Sequence, residues 1–361
     1  MADIKQKIEE LLTLADIQVN GNRPWDMQVH NEDLYSRILS QGSLGLGEAY
    51  MDRWWSTEAL DEFMYRVLRA NLDREVSVNP AGVWNHLKYR LINPQNHRRV
   101  YEVGKRHYDK GNDLFEAMLD KRMTYTCGYW LDVETLDEAQ EKKLDMVCSK
   151  LGLKPGQRVL DIGCGWGSFA RYAAEEYGAE VTGITISREQ VELARERCRG
   201  LPVEIRLQDY RQLDELFDHI VSLGMFEHVG YRNYRIYMEV ASRCLKPDGV
   251  FVLHTIGGNR SAESTDPWIE KYIFPNSMIP SIRQIGSAIE DHFIMEQWDN
   301  YGLHYDRTLI AWYKNFKESW QELKARYSER FYRMWEYYLL CSAASFRARK
   351  NNQWQIILTK K

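Results

Sequence analysis

Between residues 158 and 258 the chain alternates two hydrophobic periods. Val159–Ile162 is a short continuous apolar run, the pattern of a strand buried on both faces. Behind it, Ser168–Tyr177 has the 3.6-residue spacing of a helix. The alternation then repeats. Residues 179–185 read as a strand, and a helix follows from Ser187, an N-cap with Gln190 three residues on, which predicts a capping box. Val203–Leu207 and Phe217–Leu223 read as strands, 231–245 as a helix, Lys246-Pro-Asp-Gly as a turn and 250–256 as a strand. Five strands alternating with helices predict an α/β fold with a doubly wound, mostly parallel sheet.

The flanks have other periods. Ile4, Ile8, Leu11, Leu12 and Ala15 make one apolar stripe over 4–16. Gly42 to Trp55 reads as a glycine-punctuated turn leading into a helix, and Leu60, Phe63, Met64, Val67 and Leu68 give another. Residues 1–91 are therefore expected to form a small, mostly helical N-terminal domain. The segment 92–106 is expected to be a linker, and 107–361 the second domain. A helix over Leu136–Leu151 leads into the first strand of the α/β region. From about 259 the chain is aromatic, with an amphipathic helix around 331–340; an apolar groove and the core of an inserted helical cap would both use such residues.

Composition narrows the field. A chain of 361 residues suits two domains. The 12 Trp and 22 Tyr suggest apolar ligand surfaces or large packed cores, and a net charge of −4 argues against a general nucleic-acid binder. The six cysteines (127, 148, 164, 198, 244 and 341) form no C-x-x-C pair, so they read as reduced thiols of a cytoplasmic protein, with no metal site. The first residues lack the apolar region of a signal peptide, and no stretch of about 18 apolar residues is present. Over 92–111, Arg98, Arg99, Lys105, Arg106 and Lys110 outnumber Glu102 and Asp109. That stretch suits a hinge or attraction to anionic lipid headgroups.

The candidate chemistry lies at the strand ends. Gly163, Gly165 and Gly167 follow the first strand as G-x-G-x-G, not the dinucleotide G-x-G-x-x-G, and no phosphate-binding Lys-Ser/Thr follows. An adenosyl cofactor without a pyrophosphate fits, S-adenosylmethionine in particular. Open α/β sheets bind ligands beyond their carboxyl ends, which here carry Gly163–Gly167, Thr185, Tyr210, Glu227, His228 and His254. No acid closes the second strand, where Ile184-Thr185-Ile186 stands, so Gln190 is the candidate for the ribose.

The motifs Tyr125-Thr-Cys-Gly-Tyr-Trp, Val159-Leu-Asp-Ile-Gly-Cys-Gly-Trp-Gly, Gly183-Ile-Thr-Ile-Ser-x-x-Gln, Gly224-Met-Phe-Glu-His-Val-Gly and Leu253-His-Thr-Ile-Gly occur in that order. With Tyr272-Ile-Phe-Pro-Asn and Tyr327-Ser-Glu-Arg-Phe they resemble the bacterial cyclopropane-fatty-acyl-phospholipid synthases, over nearly the whole chain. The resemblance implies a Rossmann-like S-adenosylmethionine-dependent methyltransferase domain. It also implies methylene transfer to a cis double bond of a phospholipid acyl chain, through a carbocation deprotonated by bound bicarbonate. On the family pattern, bicarbonate is held by Cys127, Glu227, His254, the backbone at Ile256, and Tyr305. The cofactor is met by Tyr125, Thr126, Val159, Asp161, Gly163, Gly165, Gly167, Thr185, Gln190 and Tyr210. The same resemblance implies a homodimer working at the bilayer surface, peripherally, on the inner face of the membrane. Two alternatives stay open: a lipid methyltransferase giving a methyl-branched or hydroxylated product, and a lipid-binding protein that kept the fold.

Overall fold

The computed structural model describes residues 2–72 and 111–361. The basic residues 98–110 and the expected 92–106 linker fall outside the described residues. Four helices come first, α1 (Ala2–Leu14), α2 (Asp33–Gln41), α3 (Ser43–Met51) and α4 (Leu60–Arg69), with a two-stranded antiparallel pair, β1 (Gln28–Val29) and β2 (Trp55–Ser56). Next come α5 (Asn112–Met118) and α6 (Leu136–Leu151). The alternating region is β3 (Arg158–Ile162), α7 (Ser168–Tyr177), β4 (Glu180–Thr185), α8 (Arg188–Arg197), β5 (Val203–Leu207), β6 (Phe217–Leu223), α9 (Tyr234–Cys244) and β7 (Leu245–Gly258). The rest is α10 (Pro267–Tyr272), α11 (Ile282–Ile289), β8 (Phe293–Asn300), α12 (Gly302–Glu318), α13 (Trp320–Leu323), α14 (Glu329–Arg347) and β9 (Asn351–Lys360).

The chain divides into two compact units. One takes Met1–Ile92, Glu263–Pro275 and Asp306–Asn351; the other takes Asn93–Ala262, Asn276–Tyr305 and Asn352–Lys361. This grouping differs from a division at 91 and 107, because α10, α13, α14 and most of α12 belong with the N-terminal helices. The reason is their aromatic faces. Trp335, Tyr337 and Tyr338 of α14 are buried, and Tyr337 lies 5.4 Å from the Tyr50 ring and 4.7 Å from Trp268. Those aromatics are core. Of the glycines in the stretch Gly42 to Trp55, only Gly42 makes the turn, between α2 and α3; α3 runs through Gly45 and Gly47, and Gly47 is needed there because a Cβ would lie 2.5 Å from the Trp268 ring.

The second unit holds a seven-stranded sheet in the order β5-β4-β3-β6-β7-β9-β8. Neighbours from β5 to β7 run parallel, and β8 pairs with β9 antiparallel. Side chains alternate between the two faces of each strand. Val159, Val181, Val221 and Val252 pack in one core with α6 and α7, while Leu160, Ile184, Ile220 and Phe251 pack in the other with α9 and α11. The sheet has two more strands than the five expected. β9 begins Asn-Asn-Gln-Trp-Gln and β8 is largely exposed, so neither shows a clean apolar period; pairing to the sheet decides them. Lys246-Pro-Asp-Gly is a bulge within β7, between Leu245 paired with Phe217 and Val250 paired with His219.

α6 has a complete capping box, Thr135 with Glu138, and ends on Gly152 in the left-handed region. Among the described residues, no helix is long and apolar enough to cross a membrane, and no group of three or more His, Cys, Asp or Glu is placed to hold a metal.

Candidate functional site

The strand order reverses at β3: β4 and β5 lie on one side of it, β6 and β7 on the other. A crevice at such a switch point is where doubly wound sheets bind ligands. Gly163 and Cys164 leave β3 by donating backbone N–H groups to the Ile184 carbonyl at 2.9 and 3.0 Å. Gly163, Gly165 and Gly167 have φ of 86°, 55° and 80°. A Cβ on Gly163 would meet Met225 at 2.5 Å, whereas one on Gly165 would meet nothing within 4 Å. Gly165 thus presents bare backbone with open space before it, which suits close approach of a ligand. Val159 is not brought to this turn. It pairs with Val181 and His219 near the start of β3 and packs in the core. Asp161 is buried in the same strand, and burial raises its carboxyl to about 7 against the pull of Lys143.

At the end of β4, the Thr185 hydroxyl donates to Gln190 Oε1 at 2.7 Å and accepts from the Ser187 N–H at 3.2 Å. Ser187 caps α8 through the Gln190 N–H, but the Gln190 side chain turns to Thr185, so only half of the expected capping box forms. Gln190 keeps its amide nitrogen as a donor. Tyr210, after β5, lies edge-on to Tyr237 at 5.1 Å, and burial raises its phenol to about 12.

The 124–130 loop is held from two sides. Gln140 Nε2 donates to the Thr126 carbonyl at 2.7 Å, and Lys143 Nζ donates to the Thr126 hydroxyl at 2.9 Å. Tyr125 packs edge-on to Phe115 at 5.1 Å. A Cβ at Gly224, just beyond β6, would lie 2.6 Å from Thr126 Cγ2, so the loop sits against that strand end. Its far end is tied to α12: the Trp130 N–H donates to His304 Nδ1 at 3.0 Å, beside Tyr305 in the first turns of that helix. Cys127 and Tyr305 are both buried. Lys143 is wholly buried, which pushes its ammonium down from 10.5 to about 8.

Glu227 and His254 come together because Leu223 of β6 pairs with His254 of β7, and the Gly224 N–H donates to the His254 carbonyl at 2.8 Å. Glu227 Oε1 accepts from the Ile256 N–H at 2.5 Å, so that amide enters the site through the carboxylate. The Thr255 hydroxyl donates to the Ile256 carbonyl at 3.1 Å and stands close enough to the Glu227 carboxyl to favour its charged form, while Glu227 Oε2, buried, has no hydrogen-bond partner among the described residues. Burial raises the Glu227 carboxyl to about 7, against the opposing Ile256 N–H. His254 Nδ1 meets Gln355 Nε2 at 3.2 Å, while His254 Nε2 is also buried without a partner among the described residues. Burial, then Lys143 and Lys150, hold the imidazole neutral by lowering its pKa well below the usual value. Two buried polar atoms on neighbouring strands, one carboxylate oxygen and one imidazole nitrogen, are thus left without a partner among the described residues, and each calls for a polar group to satisfy it.

Gln140, Lys143, Lys150 and Gln355 were not expected here. The signal available was the seven-residue spacing of Lys143 and Lys150, which puts them on one face of α6, and polar Gln355 within an apolar strand.

A doubly wound parallel sheet with an antiparallel last pair, and a G-x-G-x-G turn at its switch point, is the arrangement of an S-adenosylmethionine-dependent methyltransferase, the class to which the relatives assign this chain. Residues 95–356 match the mycolic acid cyclopropane synthetase family, and the chain belongs to that family. It is 52% identical to the cyclopropane-fatty-acyl-phospholipid synthase of Escherichia coli K12 over 97% of this chain and 92% of that protein. It is 38% identical to the sphingolipid C9-methyltransferase A of Emericella nidulans, over 94% of this chain and 70% of that one. The crystal structure of the mycolic acid cyclopropane synthase CmaA1 complexed with SAH and CTAB superposes with a TM-score of 0.68 at 32% identity, covering 72% of this chain and 98% of that one.

Proposed function

We propose that this enzyme makes cyclopropane fatty acids on phospholipids, transferring a methylene from S-adenosylmethionine to a cis double bond of an unsaturated acyl chain. The observation that carries the reading is the complementary pair of orphaned buried atoms, Glu227 Oε2 and His254 Nε2. Bicarbonate has what that pair lacks: a hydroxyl to donate to a carboxylate and oxygens to accept from an imidazole N–H. When bound, S-adenosylmethionine supplies an electrophilic methyl group and bicarbonate supplies a base for the proton that must leave before the ring closes. Gly163, Gly165 and Gly167 would present backbone to the cofactor, with Tyr125, Thr126 and Tyr210 as walls and the Gln190 amide as a ribose donor. Asp161, two residues before the glycine turn, is raised to about 7 by burial and would ionise fully only when a sulfonium is bound beside it. Val159 supports the strand from the core.

Glu227 keeps its Oε1 on the Ile256 N–H, which orients Oε2. His254, held neutral, donates without adding positive charge beside a developing carbocation. Cys127, on the 124–130 loop, and Tyr305, in the first turns of α12, would complete the bicarbonate site, as the family resemblance implies. The phospholipid substrate is the basis for a protein that works peripherally at the cytoplasmic face of a membrane; the relative from Escherichia coli is named for phospholipid. A homodimer is an expectation carried by the family resemblance.

The test uses purified protein, S-adenosylmethionine and vesicles of a cis-monounsaturated phospholipid, with the released acyl chains read by gas chromatography–mass spectrometry. A saturated, ring-containing product one methylene heavier is expected, and it should fall when bicarbonate is depleted. A methyl-branched or hydroxylated product would replace this reading with that of a lipid C-methyltransferase. No product despite cofactor binding would reject it.

A further inference from the structure

The side chains behind His254 form a chain of contacts that the reaction scheme above does not use. Lys150 Nζ donates to Asp299 Oδ2 at 2.6 Å, to the Tyr301 hydroxyl at 3.1 Å and to Gln355 Oε1 at 2.8 Å. Gln355 Nε2 stands 3.2 Å from His254 Nδ1. Gln355 is 0% exposed and His254 2%, so water does not substitute for either contact. An ammonium can only donate, which obliges Gln355 to turn its carbonyl oxygen to Lys150. Its NH2 group then faces His254, and an NH2 group can only donate. His254 Nδ1 must therefore be the bare, accepting nitrogen. The proton of the neutral ring sits on Nε2, the buried atom that has no partner among the described residues.

We infer that Lys150 and Gln355 are positioning residues that fix His254 as the Nε2–H tautomer, so that an imidazole donor points into the site before any ligand arrives. The direction of each hydrogen bond follows from the one before it. Turning the Gln355 amide over would set its NH2 against the Lys150 ammonium and its oxygen against His254, which would then need a proton on Nδ1. Asp299 and Tyr301 keep Lys150 from drifting out of this line. A second group that fixes which imidazole nitrogen is protonated is the usual means of preparing a histidine for a defined role. What the Nε2–H meets rests on the proposed function; the tautomer itself does not.

The test is nitrogen-15 NMR of histidine-labelled full-length protein without ligands, the His254 signals being assigned by their loss in His254→Asn. Wild type is expected to show a bare Nδ1 and a protonated Nε2. Gln355→Glu has the same shape but accepts at both ends, so Nδ1 is expected to gain a proton and its resonance to move to the protonated range. Lys150→Met frees the amide to turn, and the two tautomers should then exchange. A protonated Nδ1 in wild type would overturn the inference, and so would an unchanged bare Nδ1 in Gln355→Glu. Product formation by the same wild-type preparation is measured in parallel. Its absence would reject the proposed reaction while leaving the tautomer result in force.

Discussion

Glu227→Gln should disable the enzyme and stabilise the fold together. The amide keeps the shape and can still accept the Ile256 N–H through Oε1, but it replaces the orphaned acceptor Oε2 with an NH2 donor. A charge-assisted hydrogen bond to the site's ligand is then lost and two donors face one another. That difference is worth about 2–4 kcal/mol, or roughly 30- to 1,000-fold in turnover. Stability should move the other way. Burial raises the Glu227 carboxyl from 4.5 to about 7, so the folded protein prefers the protonated form. Below pH 4.5 the carboxyl is neutral in both states and wild type loses nothing. As pH rises from 4.5 to about 7 the unfolded chain ionises first, and the folded protein bears a penalty that levels off at about 3 kcal/mol. Glutamine never ionises and escapes it. Urea unfolding at pH 5 and pH 8 reads the stability, vesicle turnover reads the activity, and calorimetry should find the affinity for S-adenosylmethionine largely kept. Near-normal turnover would remove Glu227 from the mechanism. An equal stability gap at both pH values would show that its carboxyl is not raised by burial.

Three further variants concern the cofactor turn and the lysine that holds Thr126. Gly165→Ala has room for its Cβ, so it should lose only the ~1 kcal/mol of a left-handed alanine yet weaken S-adenosylmethionine binding about tenfold or more, measured by calorimetry. Gly163→Ala runs into Met225 at 2.5 Å and should lower the melting temperature more than Gly165→Ala does. Lys143→Met removes a cation whose folded pKa is lowered from 10.5 to about 8, a penalty of about 3 kcal/mol that is full below pH 8 and gone above pH 10.5. Set against a lost Thr126 hydrogen bond of about 1 kcal/mol, the variant should be more stable by about 2 kcal/mol at pH 7. That gap should close between pH 8 and 10.5 in urea titrations, while cofactor binding weakens as Thr126 loses its anchor.

The alternating strands, the glycine turn and the helix Leu136–Leu151 were legible in the sequence because each is a local matter. A buried parallel strand needs a continuous apolar run, a switch-point turn needs residues that tolerate positive φ, and a capped helix needs its Thr135, Glu138 and Gly152 in place. Glu227 and His254 were also legible as candidates, since Glu227 follows the end of β6 and His254 lies in β7 beside that end. What only the tertiary structure decided depends on partners far away in the chain. Val159 was drawn into the core by its place at the start of β3, and Gln190 spent its oxygen on Thr185. β8 and β9 have no clean period of their own and are strands because each completes the other's hydrogen bonding across some fifty residues. The aromatic helix α14 joined the N-terminal helices because its rings fill the space around Tyr50 and Trp268. Gln355, at the far end of the chain, reads as an ordinary polar strand residue until the fold sets it between Lys150 and His254. Burial then leaves each end of the Gln355 amide one partner, and that constraint is invisible in a sequence, where every polar group still has water.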